Sequence, residues 1–266
     1  MPHISIKAET IFNIFGFPIT NSYITSLIVI IITFFIVVYY NKQLTAQKKS
    51  GFFYILHFFI NAIYNLFKSI IGSKINVFFP VLFSFFFYIL LQNWFGLMPG
   101  VGSILIKPQE KASVIHIAES EIIHEQAVSE GKHDPLLIPL FRANNADLNT
   151  TIGLALVAMV LVQYYGILNL GLFVYLKKFF NFSNPINFFT GILEIISEFS
   201  KVISFAFRLF GNIFAGEVLL VIIAFLIPVI VPVPFFFLEI FVGFIQALVF
   251  SMLTAVFFQL ATQKHH

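Results

Sequence analysis

The stretch Glu194-Ile-Ile-Ser-Glu198-Phe-Ser-Lys201-Val-Ile-Ser204-Phe-Ala-Phe-Arg208-Leu-Phe-Gly211-Asn212-Ile-Phe-Ala215-Gly216-Glu217 decides how the rest of the chain reads. It belongs to an apolar run from 187 to 227 that no proline interrupts, so a single long helix is expected there. Arg208 stands near the middle of that helix, roughly 30 Å from either end at about 1.5 Å per residue. That depth defeats easy snorkelling, and a guanidinium, unlike a lysine ammonium, does not shed its proton to escape a low dielectric. A buried arginine therefore needs an acidic partner. Its neighbours on the same helix face are Ser204, Gly211 and Asn212, and no carboxylate stands at the three- or four-residue spacing that would pair it. Lys201, by contrast, has Glu198 three residues away and is expected to be salt-bridged. The partner of Arg208 must come from elsewhere, and another subunit is the expected source. An ionisable residue inside a membrane marks a functional site by default.

The membrane setting follows from composition. Of 266 residues, 59% are apolar and only 10% charged, with a mean hydropathy of +0.95. So few polar residues cannot cover a soluble surface. Uncharged runs extend over 10–41, 75–106, 148–176, 218–238 and 240–263, each long enough for a spanning helix of about 20 residues. The chain has no cysteine, which excludes disulfides and thiolate metal sites. The net charge of +3 is small, and no nucleic-acid partner and no cofactor are expected. The first apolar segment lacks a basic n-region and a small-residue cleavage site, so no cleaved signal peptide is expected.

Taken in order, residues 1–20 read as a short polar lead-in and 21–40 as the first span, which ends in the interface-seeking Tyr39 and Tyr40. Over 51–71, Tyr54, His57, Asn61, Asn65 and Lys68 recur at helical spacing. With lysines at both ends, this amphipathic segment is expected to lie in the interface, His57 being an interfacial polar residue and not a ligand. The second span is about 76–98, followed by the hydrophilic, acidic connection 100–146. The spacing of His116, His124 and His133 there matches no compact metal signature. Further spans are expected at about 148–170, 186–227 and 235–262. Asp147 sits where the N-cap of the third would fall. Lys177 and Lys178 read as an acid-free loop.

Charge placement gives the orientation. The loops after the first, third and fifth spans carry Lys42, Lys48, Lys49, Lys68, Lys74, Lys177, Lys178 and Lys264 without a single acid, whereas the opposite side carries eight acids. The positive-inside rule puts the lysine side in the cytoplasm, or in the matrix of an organelle. The expectation is an all-α polytopic protein of a single membrane domain, with five spans and one interfacial helix, its N-terminus outside and its C-terminus inside.

The fourth helix, at about 42 residues or roughly 63 Å, is twice as long as the hydrocarbon core of about 30 Å is thick. It must tilt steeply or bend, and with the fifth it forms a long hairpin. Folding that hairpin about 227–230 sets Glu217 opposite Glu239 and Arg208 near Gln246. Arg208 and Glu217 are nine residues, about 900°, apart and so look out of opposite sides of their helix. This is the geometry of a pathway that stops at a positive charge. Two carboxylates brought together in a membrane do not both stay ionised cheaply, which suits a proton relay; a shared proton that merely holds the hairpin together is the alternative.

Arg208-Leu-Phe-Gly-Asn-Ile-Phe-Ala-Gly-Glu217 closely resembles the signature of subunit a of the F-type ATP synthases, and Gly243-Phe-Ile-Gln246-Ala-Leu-Val-Phe250 resembles that family's second signature. Asn93 to Pro99, Asp147-Leu-Asn149 and His3-Ile-Ser-Ile-Lys-Ala-Glu9 fit as well. The resemblance implies a stator subunit, held by the peripheral stalk b subunits, that packs against a rotating ring of c subunits within the ATP synthase complex and the lipid bilayer. It implies that Arg208 faces the ring carboxylate and blocks leakage between two offset half-channels. Asn212, Glu217, Glu239 and Gln246 match polar positions along those paths. Asn93, Asp147 and Asn149 match positions near the outer half-channel, and Ser204 one on the inner side. Glu194 and Lys201 fit family positions too. Some relatives have a histidine at one of the Glu217 and Glu239 positions, and some have an acid where this chain has Gly96. The loop 107–140 looks like a lineage-specific extension. The expected place is a bacterial cell membrane, with the mitochondrial inner membrane as alternative. A secondary transporter that binds an anion at Arg208 is a second reading, but the chain shows no inverted repeat and no glycine-broken helix pair. A purely structural scaffold is a third.

Overall fold

The computed structural model describes residues 8–14, 17–98, 101, 104–106, 138–179, 184–227 and 230–263. The opening residues 1–7, His116, His124 and His133 with most of the acidic loop, Pro228 and Lys264 lie outside the described residues.

Five helices are long and apolar enough to cross a membrane: α1 (Asn21–Thr45), the pair α2 (Gly51–Ile71) and α3 (Ile75–Gly96), which only a 3-10 turn at Gly72–Lys74 separates, α4 (Leu148–Leu170), α6 (Pro185–Leu226) and α7 (Pro232–Ala261). The protein is all-α in class, with a short helix α5 (Leu172–Phe179) between α4 and α6. The helix limits follow from local chemistry. Thr20, Ser50 and Asp147 cap α1, α2 and α4 with side-chain oxygens, satisfying N–H groups that have no partner within the helix. Pro185 and Pro232 open α6 and α7, where a missing N–H costs nothing. For that reason α7 starts three residues before the expected 235.

The packing is that of helices with nothing to gain from water. α3 lies chiefly on α7, and α4 on α6. The buried faces of α7 and α4 are rich in small residues (Gly243, Ala247, Ser251 and Ala255; Ala155, Ala158 and Gly166), which let backbones approach closely. Aromatic rings fill what remains: Phe78 stacks on Phe258 with centroids 4.8 Å apart, and Phe205 meets Phe250 edge-on at 4.9 Å. On α2, His57 contacts the Tyr40 hydroxyl through Nδ1 at 2.9 Å and stacks on Phe53, so that ring ties α2 to α1.

Two segments differ from the sequence expectation. The N-terminal lead-in forms an antiparallel hairpin, β1 (Thr10–Ile14) with β2 (Phe17–Thr20); its run of β-branched and aromatic residues is too short to show a period. The region of Lys177 and Lys178 is helical and not a loop. The helix ends are also offset, α1 running five residues past the expected 40.

At the end of the bundle where α1 and α4 begin, side chains hold the connections down. Asn21 accepts from the Glu9 N–H through Oδ1 at 3.2 Å and donates through Nδ2 to the Pro139 carbonyl, also at 3.2 Å. The strands β3 (Leu105–Ile106) and β4 (Ile138–Pro139) pair there, and the Arg142 N–H donates to Thr25 Oγ1 at 3.4 Å. The segment 138–147 is thereby laid across the helix ends.

Candidate functional site

α6 presents two faces with opposite character. Phe205, Ala206, Leu209, Ile213 and Gly216 are buried in the bundle, while Ser204, Arg208 and Asn212 are exposed on the other side. Among the described residues Arg208 has no carboxylate partner. Gln246 of α7 shares a small cleft with it, between Phe205, Leu209 and Phe250.

Glu217, nine residues further along, turns the other way, into a cavity of about 650 Å³ between the end of α3, α6, α7 and the segment 139–143. Glu239 and Asn93 also line this cavity. The two carboxylates thus share a chamber, yet among the described residues no hydrogen bond joins them. Glu217 Oε1 lies 3.6 Å from Nε of Arg142, a residue only 6% exposed. The Glu239 carboxylate, equally buried, rests on the α6 backbone at Gly216, where any Cβ would overlap it. Only glycine admits that approach.

Asn93 organises the chamber floor. Its Nδ2 donates to the Gly243 carbonyl at 2.9 Å, and its Oδ1 accepts from Asn145 Nδ2 at 2.7 Å. The neighbouring Trp94 donates through Nε1 to the Ile240 carbonyl at 3.1 Å. These bonds tie α3 to α7 beside Glu239, as second donors to carbonyls of the α7 helix. Gly96 lines the same cavity, so that part of the wall carries no charge.

Asp147 is the N-cap of α4, accepting from the Asn149 N–H at 3.2 Å. It is buried, whereas the Asn149 side chain is exposed and is not among the residues that line the cavity. The structure therefore brings together Asn93, Glu217 and Glu239 at one place, Arg208 and Gln246 at a second, and leaves Asp147 and Asn149 outside the lining of both.

Towards the other end of α6, Lys201 Nζ binds Glu198 Oε1 at 2.7 Å. Glu198 Oε2 accepts from Gln163 of α4 at 2.8 Å, and the Tyr175 hydroxyl of α5 donates to Gln163 Oε1. Burial, then the charges of Glu198 and Glu194, push the Tyr175 phenol up to about 12. Sequence reading gave the Glu198–Lys201 pair but missed its extension through Gln163 and Tyr175, together with Arg142 and Asn145. Gln163 is the single polar residue in the middle of an apolar run, which is the one signal that points to it.

Comparison with known proteins gives the family. The family model described as ATP synthase A chain matches residues 23–259. A protein named "ATP synthase subunit a" from Gloeobacter violaceus is 31% identical over 212 residues, which cover 78% of this chain and 71% of that protein. A match that runs from the first span to the last, through both carboxylates and Arg208, shows that the chain belongs to the ATP synthase A chain family, the proton-translocating subunits of the complex's membrane sector.

Proposed function

We propose that this chain is the stator of the membrane sector and carries protons to and from a ring of c subunits by two half-channels that Arg208 keeps apart. The observation that carries this reading is the exposed Arg208, without an acid among the described residues, half a turn round and roughly 13 Å along the helix from a carboxylate-lined cavity. The ring carboxylate is the missing partner. It approaches the face of Ser204, Arg208 and Asn212, which is exposed among the described residues. The outer path is the cavity of Asn93, Glu217 and Glu239, and Asp147 and Asn149 stand at the start of α4, outside its lining. The inner path opens on the Ser204 side, and Gln246 lies where the paths come nearest to Arg208.

In the direction of synthesis, a proton entering from outside neutralises a ring carboxylate, which then turns through lipid. On reaching Arg208 the carboxylate meets a fixed positive charge that favours its ionised form, and its proton leaves by the inner path. A direct jump between the paths would carry a proton past the guanidinium, which repels it. The transmembrane field supplies about 2.3 kcal/mol per charge per 100 mV. ATP chemistry belongs to other subunits, because the sequence holds no glycine-rich phosphate loop ending in Lys-Ser/Thr. The peripheral stalk b subunits keep the chain from turning with the ring. The lysine-rich side faces the cytoplasm of a bacterium, with the N-terminus outside and α2 lying along the inner interface.

The test is ATP-driven proton pumping by the native complex in vesicles, wild type against Arg208→Ala. Lost pumping with an intact complex is expected. Undiminished pumping would sink the reading and direct attention to an anion transporter.

A further inference from the structure

The cavity holds two glutamates whose surroundings differ, and the difference originates in a residue of the segment that precedes α4. We propose that Arg142 is the standing counter-ion of Glu217, so that Glu239 alone takes up the proton from the outer side and hands it on. This assignment rests on the channel reading above and deepens it.

Arg142 is placed by the fold and not by its partner. Its own N–H is held by Thr25 Oγ1, and the chain three residues earlier is tied through Pro139 to Asn21, so the guanidinium is delivered to Glu217 by the start of α1. The side chain is buried, where a charge without a counter-charge is costly. Charged groups reach Glu217 from three elements: Arg142 from the segment before α4, Glu9 from the N-terminal segment, near enough to act on it electrostatically, and Glu239 from α7 across the cavity.

Around Glu239 the setting is different. α6 offers it the Gly216 backbone, α3 offers the uncharged Asn93, and the cavity wall nearby is apolar, with Ile213, Leu220 and Phe236. Among the described residues it makes no ion pair and no hydrogen bond. A carboxylate locked in an ion pair stays charged; one without a partner is available to exchange its proton with the cavity. The step is balanced as a transfer: a hydronium gives its proton to a Glu239 oxygen, the O–H bond then breaks towards the ring carboxylate, and Glu239 returns to its anion. Arg142 is a positioning residue, acting on the path through Glu217.

The experiment uses the assembled complex in lipid and reads two signals, the carbonyl stretch of protonated carboxylic acids by infrared difference spectroscopy and the pH profile of ATP-driven pumping. The variants are Glu217→Gln, Glu239→Gln, Arg142→Gln and Arg142→Lys. We expect Glu239→Gln to remove an acid band and abolish pumping. Glu217→Gln is expected to keep the band and pump at a reduced rate. Arg142→Gln is expected to add a second acid band, absent again in the double variant with Glu217→Gln, and to displace the pH profile, while Arg142→Lys restores both. A band lost in Glu217→Gln, no band change in either glutamate variant, or an unaltered spectrum and profile in Arg142→Gln overturns the assignment. Should Arg142→Gln not assemble, the two glutamate variants and Arg142→Lys decide the matter alone. The infrared result stands whether or not Arg208→Ala stops pumping, so failure of this assignment and failure of the channel reading are told apart.

Discussion

Replacing Gly216 by alanine puts one methyl group where the Glu239 carboxylate now rests. Ordinary van der Waals contact begins at 3.4 Å, so the carboxylate has to retreat by more than about 1 Å, and it can, because it is the far end of a flexible side chain. An off-rotamer Glu239 costs about 0.5–1.5 kcal/mol, and alanine in place of glycine inside a helix returns about 0.5–1 kcal/mol. The two nearly cancel, so the complex should assemble with unchanged stability. Function is another matter. A misplacement of about 1 Å in a transfer that needs hydrogen-bond distance slows it by up to about 100-fold, and we expect ATP-driven pumping in vesicles to fall about 10- to 100-fold per assembled complex. Gly153→Ala in α4, where an added Cβ meets nothing within 4 Å, is the control. Shortening residue 239 to Asp in the Gly216→Ala background should recover part of the rate, because one methylene less withdraws the carboxylate from the methyl. Pumping by Gly216→Ala at the wild-type rate, or an equal loss in Gly153→Ala, would refute the reasoning.

Asp147→Ala removes the cap of α4 and should lower stability by about 0.5–2 kcal/mol, read as an earlier midpoint of SDS-induced dissociation of the complex. Asp147→Asn, whose side chain also caps, should not. Tyr175 gives an alkaline signature. Its phenol is raised from 10.0 to about 12, so the stability held by the neutral form is complete below pH 10 and is lost as pH rises through 12. Tyr175→Phe should flatten the alkaline loss of stability between those values, and a melting profile across that range that matches wild type would contradict it. Arg208→Ala and the Arg142 series complete the set.

Much of this was legible in the sequence because the physics is local. Helical periodicity alone told that no acid stands at pairing distance from Arg208 on its own helix, and the structure leaves it exposed with no carboxylate partner among the described residues. The three-residue spacing of Glu198 and Lys201 told of their bridge, and the position of Asp147 before an apolar run told of its cap. Hairpin arithmetic brought Gln246 to Arg208 and Glu239 to the chamber of Glu217, since two antiparallel helices rise at the same rate per residue.

Other features needed the tertiary structure. A loop arginine among acids reads as a solvated surface charge until Thr25 and Asn21, more than a hundred residues earlier in the chain, fix the segment that delivers it to Glu217. Asn145 looks like a turn residue until it meets Asn93, and Gln163 has no visible partner until α5 brings Tyr175 across to it. The sequence by itself determined the membrane class, the long helices and the arginine that lacks a partner, because composition and period act within a few turns. Only the tertiary structure decided which polar groups meet, because the rotation of each helix and the path of each connection are set by packing over the whole bundle, which no local pattern records.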